Sequence, residues 1–139
     1  MRKFFLPLLP ALSLTVLTAC SSAPSYEDGT YRARSFADSH GARAEVTLTV
    51  LQGRFQDVVY VTRQSDGKLK DETYGMGLDK EGESVLYESA QRAVKAMPLY
   101  RQQFLDSQSL EGVDAISGAT TSYEQFKDAL QKCLDRARR

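Results

Sequence analysis

The chain has 139 residues, enough for one domain and too few for two sizeable cores. Lys and Arg total 18 and Asp and Glu total 18, so no basic excess marks a nucleic-acid binder. One His and two Cys exclude a disulfide-rich scaffold and most zinc sites of His and Cys, and any Ser-His-Asp triad would have to use His40.

Met1-Arg2-Lys3 opens the chain, and a mostly apolar run follows from Phe4 to Leu17. A basic start before a short apolar stretch is the pattern of an export signal. The run is short for a membrane span, and Pro7 and Pro10 interrupt it. It ends Leu17-Thr18-Ala19-Cys20, which resembles the bacterial lipobox. The resemblance implies that residues 1–19 are a removed signal peptide. Cys20 then becomes the first residue, its sulfur carrying a diacylglycerol and its amine a further acyl chain of the palmitate type. Several acyl chains anchor stably where one is marginal. The expected location is a bacterial membrane, on the extracytoplasmic face, in the periplasm or at the cell surface. An ordinary secretory signal with a coincidental Cys is the alternative. Residues 20–27 include Ser21-Ser22-Ala23-Pro24-Ser25 and read as a short flexible tether.

The domain is expected over residues 28–139. Asp28-Gly29 is a turn pair, and residues 30–36 read as a first strand. Ala44, Val46, Leu48 and Val50 alternate with polar residues, as in a half-buried strand. Gln52-Gly53 is a tight turn into a third strand, with Phe55, Val59 and Val61 on one face and Val58 and Tyr60 on the other. The pair reads as an antiparallel hairpin. A helix is expected from Ser84 to Met97, with Leu86, Ala90, Ala93 and Met97 forming a stripe that faces the core. Pro98 is expected to break it or to start a second short helix carrying Tyr100 and Phe104. The last helix carries Tyr123, Phe126, Leu130, Cys133 and Ala137 on its apolar side. Thr121 with Glu124, and Ser122 with Gln125, fit capping boxes at its start. Cys133 reads as a buried thiol. The fold class is α+β, an antiparallel sheet packed with helices.

Between the helical regions lies Val113-Asp114-Ala115-Ile116-Ser117-Gly118-Ala119-Thr120-Thr121-Ser122. It is a loop of small residues opening onto a helix N-terminus, where unpaired N–H groups and the dipole favour a phosphate. Gly118 permits close approach, and Thr120 and Thr121 offer hydroxyls. It is not a Walker loop, because the Lys and the glycine spacing are missing. On physical grounds alone the segment reads equally as a phosphate site or as a well-capped helix start.

The wording of Asp114-x-x-Ser117-Gly118-Ala119-Thr120 resembles the flavinylation motif of the FMN-binding domain family. Five constrained positions match by chance ~1 in 10^5 to 10^6 per start point. Asp28-Gly29-Thr30-Tyr31, the hairpin and the flanking helices fit the same family across residues 28–139. The resemblance implies FMN held through its phosphate on Thr120, with Asp114, Ser117, Gly118, Ala119 and Thr121 around it. It implies attachment outside the cytoplasm by a flavin transferase that uses FAD and a divalent metal and releases AMP. Asp114 would assist that modification or hold the loop. The family includes subunits of the sodium-translocating NADH:quinone reductase and of the Rnf complex, and short lipoproteins of extracytosolic electron transfer. This chain resembles the last group.

The reading is a lipid-anchored electron carrier rather than an enzyme with its own substrate. Its expected partners are the transferase, membrane lipid through Cys20, and redox proteins or a quinone-linked reductase. No catalytic residue and no metal site is expected. The competing reading is a surface lipoprotein using the fold as a binding module, with FMN loose or absent. Among other residues, His40 reads as a turn residue and Met76 as a loop or core residue that could line the ring. Tyr74, Tyr87 and Tyr100 are stacking candidates that nothing in the sequence ranks.

Overall fold

The structure is a computed structural model and describes residues 25–77 and 84–138. The signal segment and Cys20 lie outside the described residues. Three strands, β1 (Gly29–Ala37), β2 (Arg43–Leu51) and β3 (Arg54–Arg63), form an antiparallel sheet in the order β1-β2-β3. Two helices follow, α1 (Ser84–Ser107) and α2 (Thr120–Ala137), with a single 3-10 turn at Leu110–Gly112 between them. This is the expected α+β arrangement. No described helix is long and apolar enough to cross a membrane.

The alternation of β2 sends Ala44, Val46, Leu48 and Val50 fully into the core. The turn into β3 is made by Gln52 and Gly53, both at positive φ (53° and 69°), the left-handed pair that suits a two-residue hairpin. The faces of β3 differ from the alternation read in the sequence. Val50 pairs with Phe55 but Thr49 pairs with Asp57, so Gln56 is an extra residue in a bulge. The bulge shifts the phase: Phe55, Val58, Tyr60 and Thr62 are buried together, while Val59 faces solvent.

The helices cover one face of the sheet, α2 on β1 and β2, α1 on β3 and α2. The opposite face is polar, with Glu45 held between Arg34 (2.8 Å) and Arg63 (3.1 Å). In α2 the inward residues are Phe126, Ala129, Leu130, Cys133, Leu134 and Ala137. Cys133 is a buried thiol as expected, and burial pushes its pKa up.

Helix α1 runs unbroken through Pro98, against expectation. A mid-helix proline costs about 3 kcal/mol. Pro98 itself is exposed, whereas Ala96, Met97, Tyr100 and Phe104 around it are buried. Burial of such side chains contributes roughly 1.5–3 kcal/mol each and outweighs the lost turn. The stripe ahead of it divides: Met97 is in the core, but Leu86 is 52% exposed and Ala90 and Ala93 are half-buried. Apart from the polar Gln91, the helix enters the core only from Ala96 onward.

Candidate functional site

Helix α2 begins at Thr120, and Ala119 is its N-cap, with no side-chain cap bond. The capping boxes read in the sequence are therefore not formed, since Thr121, Ser122, Glu124 and Gln125 all lie within the helix. Gln125 is instead buried and donates to the carbonyls of Phe36 (3.1 Å) and Ala42 (2.8 Å). The core draws its amide inward to close the β1–β2 turn, which leaves the helix end without a protein cap. Tyr123 N–H donates to the Ala119 carbonyl (3.0 Å). The N–H groups of Thr120, Thr121 and Ser122 have no acceptor among the described residues. Three amides at the positive end of an 18-residue helix are an arrangement that favours an anion.

The preceding loop is held by α1. Tyr100, fully buried, accepts from Ile116 N–H (3.1 Å) and donates to the Ala119 carbonyl (3.2 Å). Its hydroxyl thus ties both ends of the turn over Ile116–Ala119, which Ala119 N–H closes on the Ile116 carbonyl (3.0 Å). Burial holds that hydroxyl above the usual tyrosine pKa, keeping it a proton donor. Gln103 accepts from Asp114 N–H (2.6 Å). Gly118 has φ of +79°, and a Cβ there would lie 3.4 Å from Cδ of Arg92, so Arg92 runs beside the loop. Tyr60 donates to the Ser122 carbonyl (2.9 Å), and burial pushes its hydroxyl up to about 12.

The helix end opens on a cleft of ≈ 540 Å³, within the roughly 300–1,000 Å³ of small-molecule sites. Gly118, Ala119, Thr120, Thr121 and Ser122 form one side of it. Leu86, Ser89, Ala90 and Ala93 of α1 form another, so the apolar stripe expected in the core lines the cleft instead. The third side is Asp38, Ser39 and His40 from the β1–β2 turn, with Lys70 and Tyr74. Asp38 organises this turn, accepting at Oδ1 from His40 N–H and Ala42 N–H (both 2.9 Å). Its Oδ2 accepts from Lys70 Nζ (2.9 Å). Burial alone would raise the Asp38 pKa. The Lys70 ammonium and the two backbone donors outweigh it, so the carboxyl sits below its ordinary value. Lys70 is fixed by its own N–H on the Thr62 carbonyl (2.8 Å), and its ammonium lies 4.9 Å from the centre of the Tyr74 ring. Gln91 Nε2 donates to the carbonyls of Asp71 (3.1 Å) and Tyr74 (2.8 Å), pinning that segment to α1.

Of the residues singled out in the sequence, Gly118, Ala119, Thr120 and Thr121 meet at the cleft, with both threonines exposed. Asp114 and Ser117 are exposed on the loop but do not line it. Tyr100 is buried as the loop's clamp and has no free face for stacking. Tyr87 donates to the Glu72 carbonyl (2.9 Å) and stands off the cleft, which leaves Tyr74 as the one of the three lining it. Met76 is exposed and outside it. His40 is a turn residue, as expected, and also lines the cleft. The Asp38–Lys70 pair was not legible. Asp38 before Ser39-His40-Gly41 signals an Asx-type turn, but nothing in the sequence links it to Lys70.

Comparison with known proteins shows the family and the fold. The sequence pattern of the FMN-binding domain family matches residues 40–135, and the chain belongs to that family. It is 31% identical over 132 residues to the 15 kDa lipoprotein of Treponema pallidum (strain Nichols), covering 93% of this chain and 89% of that protein. The crystal structure of a Clostridium perfringens protein superposes with a TM-score of 0.64 at 24% identity, covering 81% of this chain and 88% of the other. That likeness concerns the fold.

The site suits FMN on its own features. Open helix amides and a left-handed glycine are suited to a phosphate. A wall of Leu86, Ala90 and Ala93 offers an apolar surface to a flat ring.

Proposed function

We propose that this protein is a membrane-anchored, extracytoplasmic flavoprotein that carries FMN covalently on Thr120 and relays electrons. The observation that carries the reading is Thr120 itself, an exposed hydroxyl on the first residue of α2, beside three amides without a protein acceptor and a cleft of small-molecule size. Supporting the anchor are the Leu17-Thr18-Ala19-Cys20 sequence and the lipoprotein name of the Treponema relative.

Attachment would join Thr120 Oγ to the FMN phosphorus of FAD on the transferase, the P–O bond to the AMP phosphate breaking as AMP leaves and the threonine proton passing to solvent. The amides of Thr120, Thr121 and Ser122 would hold the phosphodiester oxygens, and they already point outward without a protein acceptor. Tyr100 and Gln103 keep the loop in place while the bond is made. The Asp114 carboxylate, exposed and away from the cleft, is available to the transferase. Once attached, the flavin supplies one- or two-electron transfer, and the chain supplies position and electrostatics. A covalent link suits a carrier outside the cytoplasm, where a dissociated cofactor is lost.

The test is co-expression of the full chain with a flavin transferase in an exporting host, followed by denaturing electrophoresis under ultraviolet light. The wild type and Thr121→Ala are expected to give a fluorescent band, and Thr120→Ala a dark one. A dark wild-type band, beside a labelled control substrate, overturns the covalent carrier in favour of a non-redox binding module.

A further inference from the structure

We infer that the Lys70–Asp38 pair, seated against Tyr74, is the electrostatic wall of the cleft, its two charges acting in opposite directions on the reduction potential of the flavin bound there. The inference rests on the flavin reading above and adds to it the residues that act on the ring.

The pair is unlike the other ion pairs of the described residues. Those are partly exposed: even the Glu45 pairs have an arginine 46% or more exposed. The side chains of Lys70 and Asp38 are only 12% and 7% exposed. Exposed pairs contribute little in water, whereas charges withdrawn from it act strongly on their neighbours. Both groups nonetheless line the same cleft as Thr120. Their positions are fixed from outside the cleft. Gln125 and two backbone donors lock the Asp38 turn, and the Thr62 carbonyl and Gln91 lock the segment carrying Lys70 and Tyr74. An ammonium offers three donors. Asp38 accepts one, the Tyr74 ring covers a second side, and capacity remains for a group in the cleft.

Two electrons and one proton convert the neutral oxidised ring into a reduced anion, so charge beside the ring shifts the equilibrium between the two. A positive neighbour favours the reduced form and a negative one opposes it. The intact pair presents both signs, and removing one member unmasks the other. The two single variants therefore move the potential in opposite directions.

The experiment uses the full chain, flavinylated by co-expression, with dithionite as reductant and a reference dye. All variants are measured in one buffer at a single pH. Denaturing-gel fluorescence first checks loading. Absent fluorescence in the wild type, beside a labelled control substrate, overturns the covalent-carrier reading, independently of this inference. With loading equal, Lys70→Met is expected to lower the reduced-to-oxidised ratio at a fixed potential about tenfold, equal to about 30 mV for a two-electron couple. Asp38→Asn, which keeps the turn's acceptor oxygen, is expected to raise it by a similar factor. Lys70→Arg is expected to stay near wild type, and the double variant Lys70→Met/Asp38→Asn to return toward it. Shifts of the same sign in both single variants, or shifts under twofold, overturn the assignment, because a merely structural role gives no opposition of sign.

Discussion

The two ends of α2 solve the same problem in opposite ways. Every helix leaves backbone groups without intrahelical partners at its termini. At the C-terminal end the chain itself supplies donors to the Leu134 and Ala137 carbonyls. The Arg138 N–H donates to the Leu134 carbonyl, Glu27 N–H donates to the Ala137 carbonyl (2.8 Å), and Tyr26 bridges to Arg138. Arg136 suits the negative end of the dipole and donates to the Arg32 carbonyl. At the N-terminal end the cap is Ala119, which has no side-chain acceptor to offer, and the first amides face a cleft. One end is closed by the chain's own groups and the other presents unpaired amides to a cleft, so perturbing them should separate folding from the proposed flavin attachment.

The largest separation is expected from Thr120→Ala. It should abolish covalent flavin while changing stability by no more than about 0.5 kcal/mol, because it removes an exposed hydroxyl and no core volume. Gel fluorescence and urea unfolding read the two effects. At the closed end, Leu134→Ala should do the reverse. Leu134 is buried, and such truncations cost about 2–5 kcal/mol; flavin attachment to the folded fraction should be unchanged.

Tyr100→Phe should fall between these, because it leaves Ile116 N–H and the Ala119 carbonyl without their shared partner. A loss of about 1–3 kcal/mol is expected, with slower flavinylation in a timed assay. Gly118→Ala should cost about 1–2 kcal/mol from the left-handed φ alone, because the added Cβ meets Arg92 only at ordinary contact distance. The smallest effect concerns acid. Asp38 has its folded pKa lowered, so its stabilisation is complete above the ordinary value of 3.8 and fades as pH falls through the lowered one. Urea midpoints of Asp38→Asn should therefore show a shallower decline in that acid range than the wild type.

Legibility in the sequence follows the range of the interactions. The alternation of β2 and the spacing of α2 are local and were readable, as was the motif that ends at Thr120. The bulge at Gln56 arises from pairing with β2 and inverted the faces of β3. Pro98 is tolerated because residues on both sides of it are buried by other elements. The capping boxes failed because Gln125 is drawn to the β1–β2 turn, 83 and 89 residues away in sequence. The far side of the cleft was invisible for the same reason. Asp38 and Lys70 lie 32 residues apart and meet only once the sheet has formed. Tyr100 is chemically indistinct from the other tyrosines until the loop folds over its hydroxyl.

The most direct measurement is the mass, with fragmentation, of the peptide spanning Asp114 to Lys127 from protein co-expressed with a flavin transferase. Attachment at Thr120 predicts a gain of one FMN less one water, localised to that residue. An unmodified peptide, or the same gain on Ser117, Thr121 or Ser122, would contradict it.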